Sequence, residues 1–225
     1  MHVLLSGIVG STAYGLAHAG SDTDRLGIFA APTAQLHGLH GPKESQVTTG
    51  PDATHHEARK WCRLALGCNP TVTELVWLDR YEVRTTLGEE LIGLRTRLLS
   101  ARRVRDAYLG YATRQFKRLQ DRGNGSCSAR TRTTKHARHL VRLLEQGIEL
   151  HRTGHLTIRL ADPDRIRALG ERIADDPDHA RHLLARAEEQ FDARGVLPEQ
   201  PDGNAVEDWL HRVRAAYYTP PGVTP

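Results

Sequence analysis

Cysteine, long apolar runs and aromatic residues are all scarce in this chain of 225 residues. The three cysteines leave one thiol over in any disulfide pairing, and their spacing matches no zinc-binding motif. We therefore expect reduced thiols and a cytoplasmic protein. No apolar run approaches the ~20 residues that cross a bilayer, and the first ten residues lack the basic start of a signal peptide. The sequence thus predicts neither a membrane span nor a secretory leader.

Charge is distributed unevenly along the chain. Residues 1–100 carry 9 Lys/Arg and 10 Asp/Glu, residues 101–160 carry 14 and 4, and residues 161–225 carry 8 and 13. Arginine is abundant throughout, but an even scatter would not concentrate the cations in one segment. The middle segment is therefore a candidate contact for a polyanion such as RNA. With only 5% aromatic residues, the chain shows no regular pattern of basic and aromatic residues that would stack single-stranded bases.

The spacing of apolar residues predicts an α+β fold with a small sheet and flanking helices over residues 1–100, followed by a mainly helical region over residues 101–225. Strands are predicted at residues 3–9, 22–30, 46–56 and 155–160, the third of them with a break near Gly50-Pro51. Helices are predicted at residues 57–68, 71–78, 102–120, 134–152, 163–174, 177–195 and 204–217. Thr71 and Glu74 form a capping-box pattern at the start of the second helix. Residues 121–133, rich in Gly, Ser and Arg, are expected to form a flexible linker.

The predicted helix at residues 134–152 has two contrasting faces. One face is apolar, with Leu140, Val141, Leu144 and Ile148, and the spacing places a cationic stripe on the opposite face, with Lys135, Arg138, His139 and Arg142. Such a stripe is typical of an ordinary amphipathic helix with a solvated side. It is equally the expected wall of a cleft that binds phosphates, so both interpretations stand on the residues alone.

Two short polar motifs lie close together near the N-terminus. Gly10-Ser11 follows the first predicted strand, and such a turn lets backbone N–H groups approach an anion without interference from a Cβ atom. Asp22 and Asp24 are two residues apart, a spacing that places both carboxylates on one face of a strand. Adjacent carboxylates repel each other unless a cation lies between them, and Mg²⁺ takes carboxylate and phosphate oxygens as ligands. The pair of motifs therefore predicts phosphoryl or nucleotidyl transfer.

These motifs resemble the signature of the DNA polymerase beta-like nucleotidyltransferase superfamily. The run GSTAYGLAHAGSDTDRLGIFAAP is similar to predicted nucleotidyltransferases that are associated with bacterial and phage RNA-repair ligases. The block ARKWCRLALGCNPTVTELVWL, the block KHARHLVRLLEQGIELHRTGHLTIRL and the Leu197-Pro198 turn also match that branch. The resemblance covers most of the chain and implies a mixed β-sheet with flanking helices as the catalytic core.

The resemblance also implies roles for the residues of the two motifs. Gly10 and Ser11 would hold the triphosphate of an NTP, and Asp22 and Asp24 would bind two Mg²⁺ or Mn²⁺ ions. The acceptor would be a hydroxyl group, which attacks the α-phosphate and releases pyrophosphate. RNA is the candidate acceptor and an RNA-repair ligase is a candidate partner, while a small molecule or a protein side chain is an alternative acceptor.

A third carboxylate completes the metal site in this superfamily. Asp52 is the candidate, because the segment from Asp52 to Lys60 runs from a strand into a helix as it does in family members. Glu57 is the alternative, although it is expected in the first turn of that helix. Lys60, Lys135 and His139 are further candidates for nucleotide binding. The resemblance makes Lys135 and His139 expected phosphate contacts, while Lys60 is equally well explained as a residue of a solvated helix face.

A second class of function stays open on the sequence. If neither Asp52 nor Glu57 reaches the metal ions, the protein would be a non-catalytic module that binds nucleotide or RNA, as a repair accessory or a toxin–antitoxin partner. The intact Gly10-Ser11 and Asp22/Asp24 motifs favour the enzyme. The uncertain third carboxylate favours the binding module.

Overall fold

A computed structural model describes residues 1–120 and 127–219, without the side chains of residues 127–129. The described chain forms two compact units. Residues 1–98 together with residues 201–219 make the first unit, and residues 99–200 make the second. The contacts thus group residues 201–219 with the N-terminal unit, whereas the sequence-based division assigned them to the C-terminal region. Contacts such as the indole N–H of Trp209, which donates to the Leu87 carbonyl at 2.8 Å, account for this grouping.

A five-stranded mixed sheet forms the centre of the first unit. The strands are β1 (His2–Ile8), β2 (Arg25–Ala30), β3 (Ser45–Thr49), β4 (Asp52–Glu57) and β5 (Val83–Arg84), in the order β3-β4-β2-β1-β5. β2 and β4 are parallel, and all other pairs are antiparallel. Leu4, Leu5 and Ile28 are fully buried in its central strands. This confirms the predicted α+β class with a mixed sheet.

Short helices surround this sheet. They are α1 (Gly10–Tyr14), α2 (Thr33–Leu36), α3 (Ala58–Leu66), α4 (Pro70–Thr73), α5 (Thr86–Gly93) and α10 (Gly203–Ala216), with a 3₁₀ turn at Glu74–Trp77. The predicted capping box at Thr71 is wrong. The N-cap of α4 is Asn69, two residues earlier, whose side chain accepts from the backbone N–H of Thr71 at 3.1 Å.

The second unit is helical, as the sequence predicts. It contains α6 (Ala101–Gln120), α7 (Cys127–Thr153), α8 (Pro163–Asp175) and α9 (Asp178–Asp192). α7 packs against each of the other three helices. Close packing is visible at Gly147, where a Cβ atom would lie 2.7 Å from Cγ of the buried Tyr108. The unit is therefore built around α7.

Three local predictions differ from the structure. The predicted strand at residues 22–30 begins only at Arg25, so both aspartates precede it. The predicted strand at residues 46–56, by contrast, has the expected break: β3 and β4 form a hairpin that turns at Gly50-Pro51. Residues 155–160, all described, form no strand, since the Thr157 side chain and backbone bind Glu149 instead of a partner strand. The predicted linker at residues 121–133 is helical from Cys127 onward, and residues 121–126 lie outside the described chain.

Candidate functional site

The Gly10-Ser11 turn lies directly against Asp24. The backbone N–H of Val9 donates to the carbonyl of Asp24 at 2.9 Å, which continues the pairing of β1 and β2 past the end of the strands. Gly10 has a φ of 68°, and a Cβ atom at this position would lie 2.6 Å from Oδ2 of Asp24. Glycine is therefore required twice over, for its backbone conformation and for the space that the carboxylate occupies.

Asp24 and Asp52 lie at the same end of two neighbouring parallel strands. Arg25 of β2 pairs with Ala53 of β4, so the residues immediately before them, Asp24 and Asp52, are opposite each other. Neighbouring strands are about 4.8 Å apart, so the backbones of these two residues lie side by side. Asp22, two residues before Asp24, is exposed in the segment that leads into β2. All three aspartates thus lie at or just before the end of this strand pair where β2 and β4 begin.

Glu57 lies at the other end of β4, five residues or about 16 Å from Asp52. Its side chain is only 3% exposed and binds Arg214 of α10 through both oxygens, at 2.6 and 3.0 Å. The same carboxylate accepts from the backbone N–H of Arg59 at 2.9 Å and so caps α3. Glu57 is therefore committed to a structural ion pair, which leaves Asp52 as the better candidate for the third carboxylate.

The donor chemistry of these aspartates fits Mg²⁺ or Mn²⁺. Carboxylate oxygens are the hard ligands that both ions prefer, and Mg²⁺ commonly uses one or two carboxylates and completes its coordination with substrate phosphates and water. The space left by the missing Cβ of Gly10 is open to the Asp24 carboxylate. Within residues 1–120 and 127–219, however, no three His, Cys, Asp or Glu side chains already converge on one point.

A buried hydrogen bond holds α1 in place. The hydroxyl of Tyr14, at the end of α1, donates to the carboxylate of Glu74, which begins the 3₁₀ turn. Tyr14 is 6% exposed and Glu74 is 4% exposed. Sequence analysis missed this pair, because Glu74 fitted a capping box and the two residues are 60 positions apart. The bond anchors the short helix that contains Gly10 and Ser11.

The structure places Lys60 away from the aspartates. Its ammonium group donates to the hydroxyl of Ser45 at 2.7 Å, and that hydroxyl lies 2.8 Å from Nδ1 of His56. His56 is four residues along β4 from Asp52, or about 13 Å. Burial, followed by the charges of Lys60 and His55, lowers the pKa of His56, so Nδ1 is available to accept from Ser45. A role for Lys60 in nucleotide binding stays a prediction.

The other two candidates for nucleotide binding, Lys135 and His139, lie on α7 in the second unit. Lys135 is exposed. The guanidinium of Arg142 donates to Nδ1 of His139 at 3.1 Å. Burial, with a smaller effect from the charge of Arg142, lowers the pKa of His139 to about 3. His139 is therefore a neutral imidazole at pH 7, and its predicted phosphate contact would have to come from a neutral N–H group.

The predicted cationic stripe on α7 is not a solvent-exposed face. Arg142 is only 2% exposed and donates to Gln146, which is itself buried. The stem of Arg138 packs against Gly170 of α8, where a Cβ atom would lie 2.4 Å from Cγ of the arginine. Because α6, α8 and α9 all pack on α7, both of its faces are shielded from solvent. Of the four stripe residues, Lys135 alone is exposed.

Comparison with known proteins identifies the family. The RNA repair pathway DNA polymerase beta family matches residues 1–200. The chain belongs to this family. Membership confirms the resemblance drawn from the Gly10-Ser11 and Asp22/Asp24 motifs and indicates a nucleotidyltransferase of the polymerase beta type. No curated protein matches the sequence.

The family match runs from β1 to the segment after α9 and ends before α10. The matched region therefore includes residues of both units. Among the helices of the described chain, none is long and apolar enough to cross a membrane.

Proposed function

We propose that the protein transfers a nucleoside monophosphate from an NTP to a hydroxyl acceptor, at the end of the sheet where Asp22, Asp24 and Asp52 lie. One observation carries the proposal: the Asp24 carboxylate lies against the Gly10 turn, with Asp52 opposite in the parallel register. The Gly10-Ser11 turn, a candidate for phosphate binding, and the Asp24 carboxylate are thus adjacent in the fold as well as in the sequence. Membership in a polymerase beta family supports the same chemistry.

The NTP would bind through its triphosphate at Gly10 and Ser11. Backbone N–H groups of this turn would donate to phosphate oxygens, and the Ser11 hydroxyl would supply a further donor. Asp22, Asp24 and Asp52 would hold Mg²⁺ or Mn²⁺ beside it. Bound there, such an ion supplies neutralisation of phosphate charge and a lower pKa for the attacking hydroxyl.

The reaction balances as an in-line displacement. The acceptor oxygen forms a bond to the α-phosphorus, and the bond from that phosphorus to the bridging oxygen of pyrophosphate breaks. Pyrophosphate leaves with the bonding electrons, and the proton of the acceptor passes to the Asp52 carboxylate as general base. Asp52 is exposed, whereas Glu57 is buried in an ion pair with Arg214, so Asp52 is the carboxylate that is open to this role.

RNA is the acceptor that the charge distribution and the family description both favour. Fourteen cations fall within residues 101–160, and the exposed Lys135 is one of them. If RNA binds through this segment, its affinity falls steeply as salt rises, because each neutralised phosphate releases counterions. Lys135→Gln should reduce that slope and weaken binding across all RNA sequences, while a flat salt response would remove RNA from the proposal. An RNA-repair ligase is the candidate partner.

Release of pyrophosphate tests the proposed activity. The full chain is incubated with each NTP and Mg²⁺, with and without RNA that carries a free hydroxyl end. Release should vanish in Asp22→Asn and Asp24→Asn and persist in Asp208→Asn, which changes an exposed carboxylate on α10. Tight NTP binding without release under every condition would instead identify a non-catalytic binding module.

The same assay separates the two candidates for the third carboxylate. Asp52→Asn should abolish release and leave the circular dichroism spectrum unchanged, since the residue is exposed. Glu57→Gln should destabilise the protein, because it breaks the ion pair with Arg214. The fraction of this variant that stays folded should still release pyrophosphate. Full activity in Asp52→Asn with a loss in folded Glu57→Gln would move the role to Glu57.

A further inference from the structure

Helices α7, α8 and α9 surround a cavity of about 730 Å³ within the second unit. Its apolar lining consists of Val141, Leu144, Ile148, Leu169, Leu183 and Ala187. Cavities of a few hundred to about 1,000 Å³ with apolar walls and a few polar groups are typical of small-molecule sites. None of the residues proposed for nucleotidyl transfer lines this cavity, so it requires an explanation of its own.

The acidic groups at the cavity already have partners. Glu145 binds Arg165 through both carboxylate oxygens, at 2.6 and 2.7 Å. Glu149 accepts from the backbone N–H of Thr157 at 3.2 Å and also from its hydroxyl. A ligand would therefore find these two carboxylates occupied, and the Glu145–Arg165 pair is electrically neutral.

Two arginines at the cavity, unlike these acidic groups, have no partner among the described residues. Arg152 of α7 and Arg186 of α9 both line it, and both are exposed. Within the described parts of the chain, neither guanidinium has a hydrogen-bond or ion-pair partner. Guanidinium groups bind carboxylate and phosphate oxygens in a bidentate fashion. The cavity thus combines an apolar floor with two available cations.

We propose that this cavity binds a small organic anion with an apolar body. The body would cover Ile148 and Leu183, which are partly exposed in the described chain, and its carboxylate or phosphate would bind Arg152 and Arg186. We infer a negative charge on the ligand because the two arginines at the cavity have no partner in the part of the chain that the structure describes. We infer an apolar body because aliphatic side chains form much of the remaining wall. The site is distinct from the Asp22/Asp24/Asp52 site and does not depend on nucleotidyl transfer.

Calorimetric titration of the full chain tests the proposal with three ligands of one size. 1-Naphthoate carries a carboxylate, 1-naphthyl phosphate carries a phosphate, and 1-naphthalenemethanol carries no charge. At least one anion should bind more tightly than the alcohol, and the stronger anion identifies the head group. The double variant Arg152→Gln/Arg186→Gln should weaken that anion about tenfold and leave the alcohol unchanged.

Two further variants control the experiment. Arg181→Gln changes another exposed arginine of α9, one that pairs with Asp178 outside the cavity, and should leave all three affinities unchanged. Ile148→Ala should weaken all three ligands together by removing part of the apolar lining. Equal binding of anions and alcohol, an unchanged anion affinity in the double variant, or no binding of any of the three would overturn the proposal.

Discussion

Arg214 binds both carboxylate oxygens of Glu57, at 2.6 and 3.0 Å, and so joins the last helix to the start of α3. The glutamate is 3% exposed and the arginine 16% exposed, so the pair is largely withdrawn from water. Thr33 adds to the same attachment, because its hydroxyl donates to the Arg214 carbonyl at 2.6 Å. α10 is therefore fixed to the sheet unit by polar contacts as well as by apolar ones.

We predict that Arg214→Met destabilises the protein by about 3 kcal/mol, because it leaves the buried Glu57 carboxylate without its cation. Arg212→Met is the matched control on the same helix. Its ion pair with Glu90 is exposed, at 51% and 37%, and exposed pairs contribute less than about 1 kcal/mol. Urea unfolding at pH 7 compares the two variants. Equal losses of stability would show that the Glu57 pair is no stronger than a surface one.

Gly10→Ala should abolish pyrophosphate release, because its Cβ atom would displace the Asp24 carboxylate. Gly20→Ala is the control, since both glycines have a positive φ, 68° and 89°, but nothing lies within 4 Å of a Cβ atom at Gly20. Both variants should lose about 1 kcal/mol of stability from the strained backbone. Pyrophosphate release should be lost in Gly10→Ala and kept in Gly20→Ala. An equal effect on release at both positions would mean that backbone strain, and not contact with Asp24, is responsible.

Tyr14→Phe should destabilise the protein by about 1–3 kcal/mol, since it leaves the buried Glu74 carboxylate without the hydroxyl that donates to it. Because α1 also contains Gly10 and Ser11, the variant should raise KM for the NTP more than it lowers kcat. Steady-state kinetics on the folded variant measure KM and kcat separately. Tyr218→Phe, at an exposed tyrosine of the first unit, should change neither stability nor KM.

His139 should make stability depend on pH. Burial lowers its pKa to about 3 from an ordinary value of 6.5, so the unfolded chain takes up a proton between these values that the folded chain does not. The free energy of unfolding should therefore fall as pH drops from about 6.5 towards 3. Urea titrations at several pH values should show a shallower fall for His139→Gln. Identical slopes in the variant and the original protein would contradict the buried, neutral imidazole.

Local patterns predicted most of the fold. The apolar run at residues 3–9 and the helical periodicity of α6 to α10 were sufficient, because each element carries its own buried face in its spacing. The proximity of the Gly10 turn to Asp24 was also predictable. β1 and β2 are antiparallel neighbours joined by a short connection. The turn that follows β1 and the aspartates that precede β2 therefore lie at the same end of this strand pair.

Contacts between distant segments could not be predicted from spacing. Glu57 and Tyr14 find their partners 157 and 60 residues away, and nothing in the local pattern of either residue indicates this. The burial of Arg142 was missed for a related reason. Helical periodicity shows which face of α7 is apolar, but it does not show that the polar face is also covered, as it is at Arg138, which packs against α8, and at the buried Arg142.

From the division of the chain we expect an order of assembly during translation. The second unit is continuous in sequence, whereas the first is interrupted by it and depends on α10 for Arg214. A nascent chain that has just exposed residue 200 therefore holds a complete helical unit and a sheet unit with Glu57 still lacking its cation. Because domains generally form as they emerge from the ribosome, the interrupted unit is the last to mature, although its first strand is synthesised at the outset.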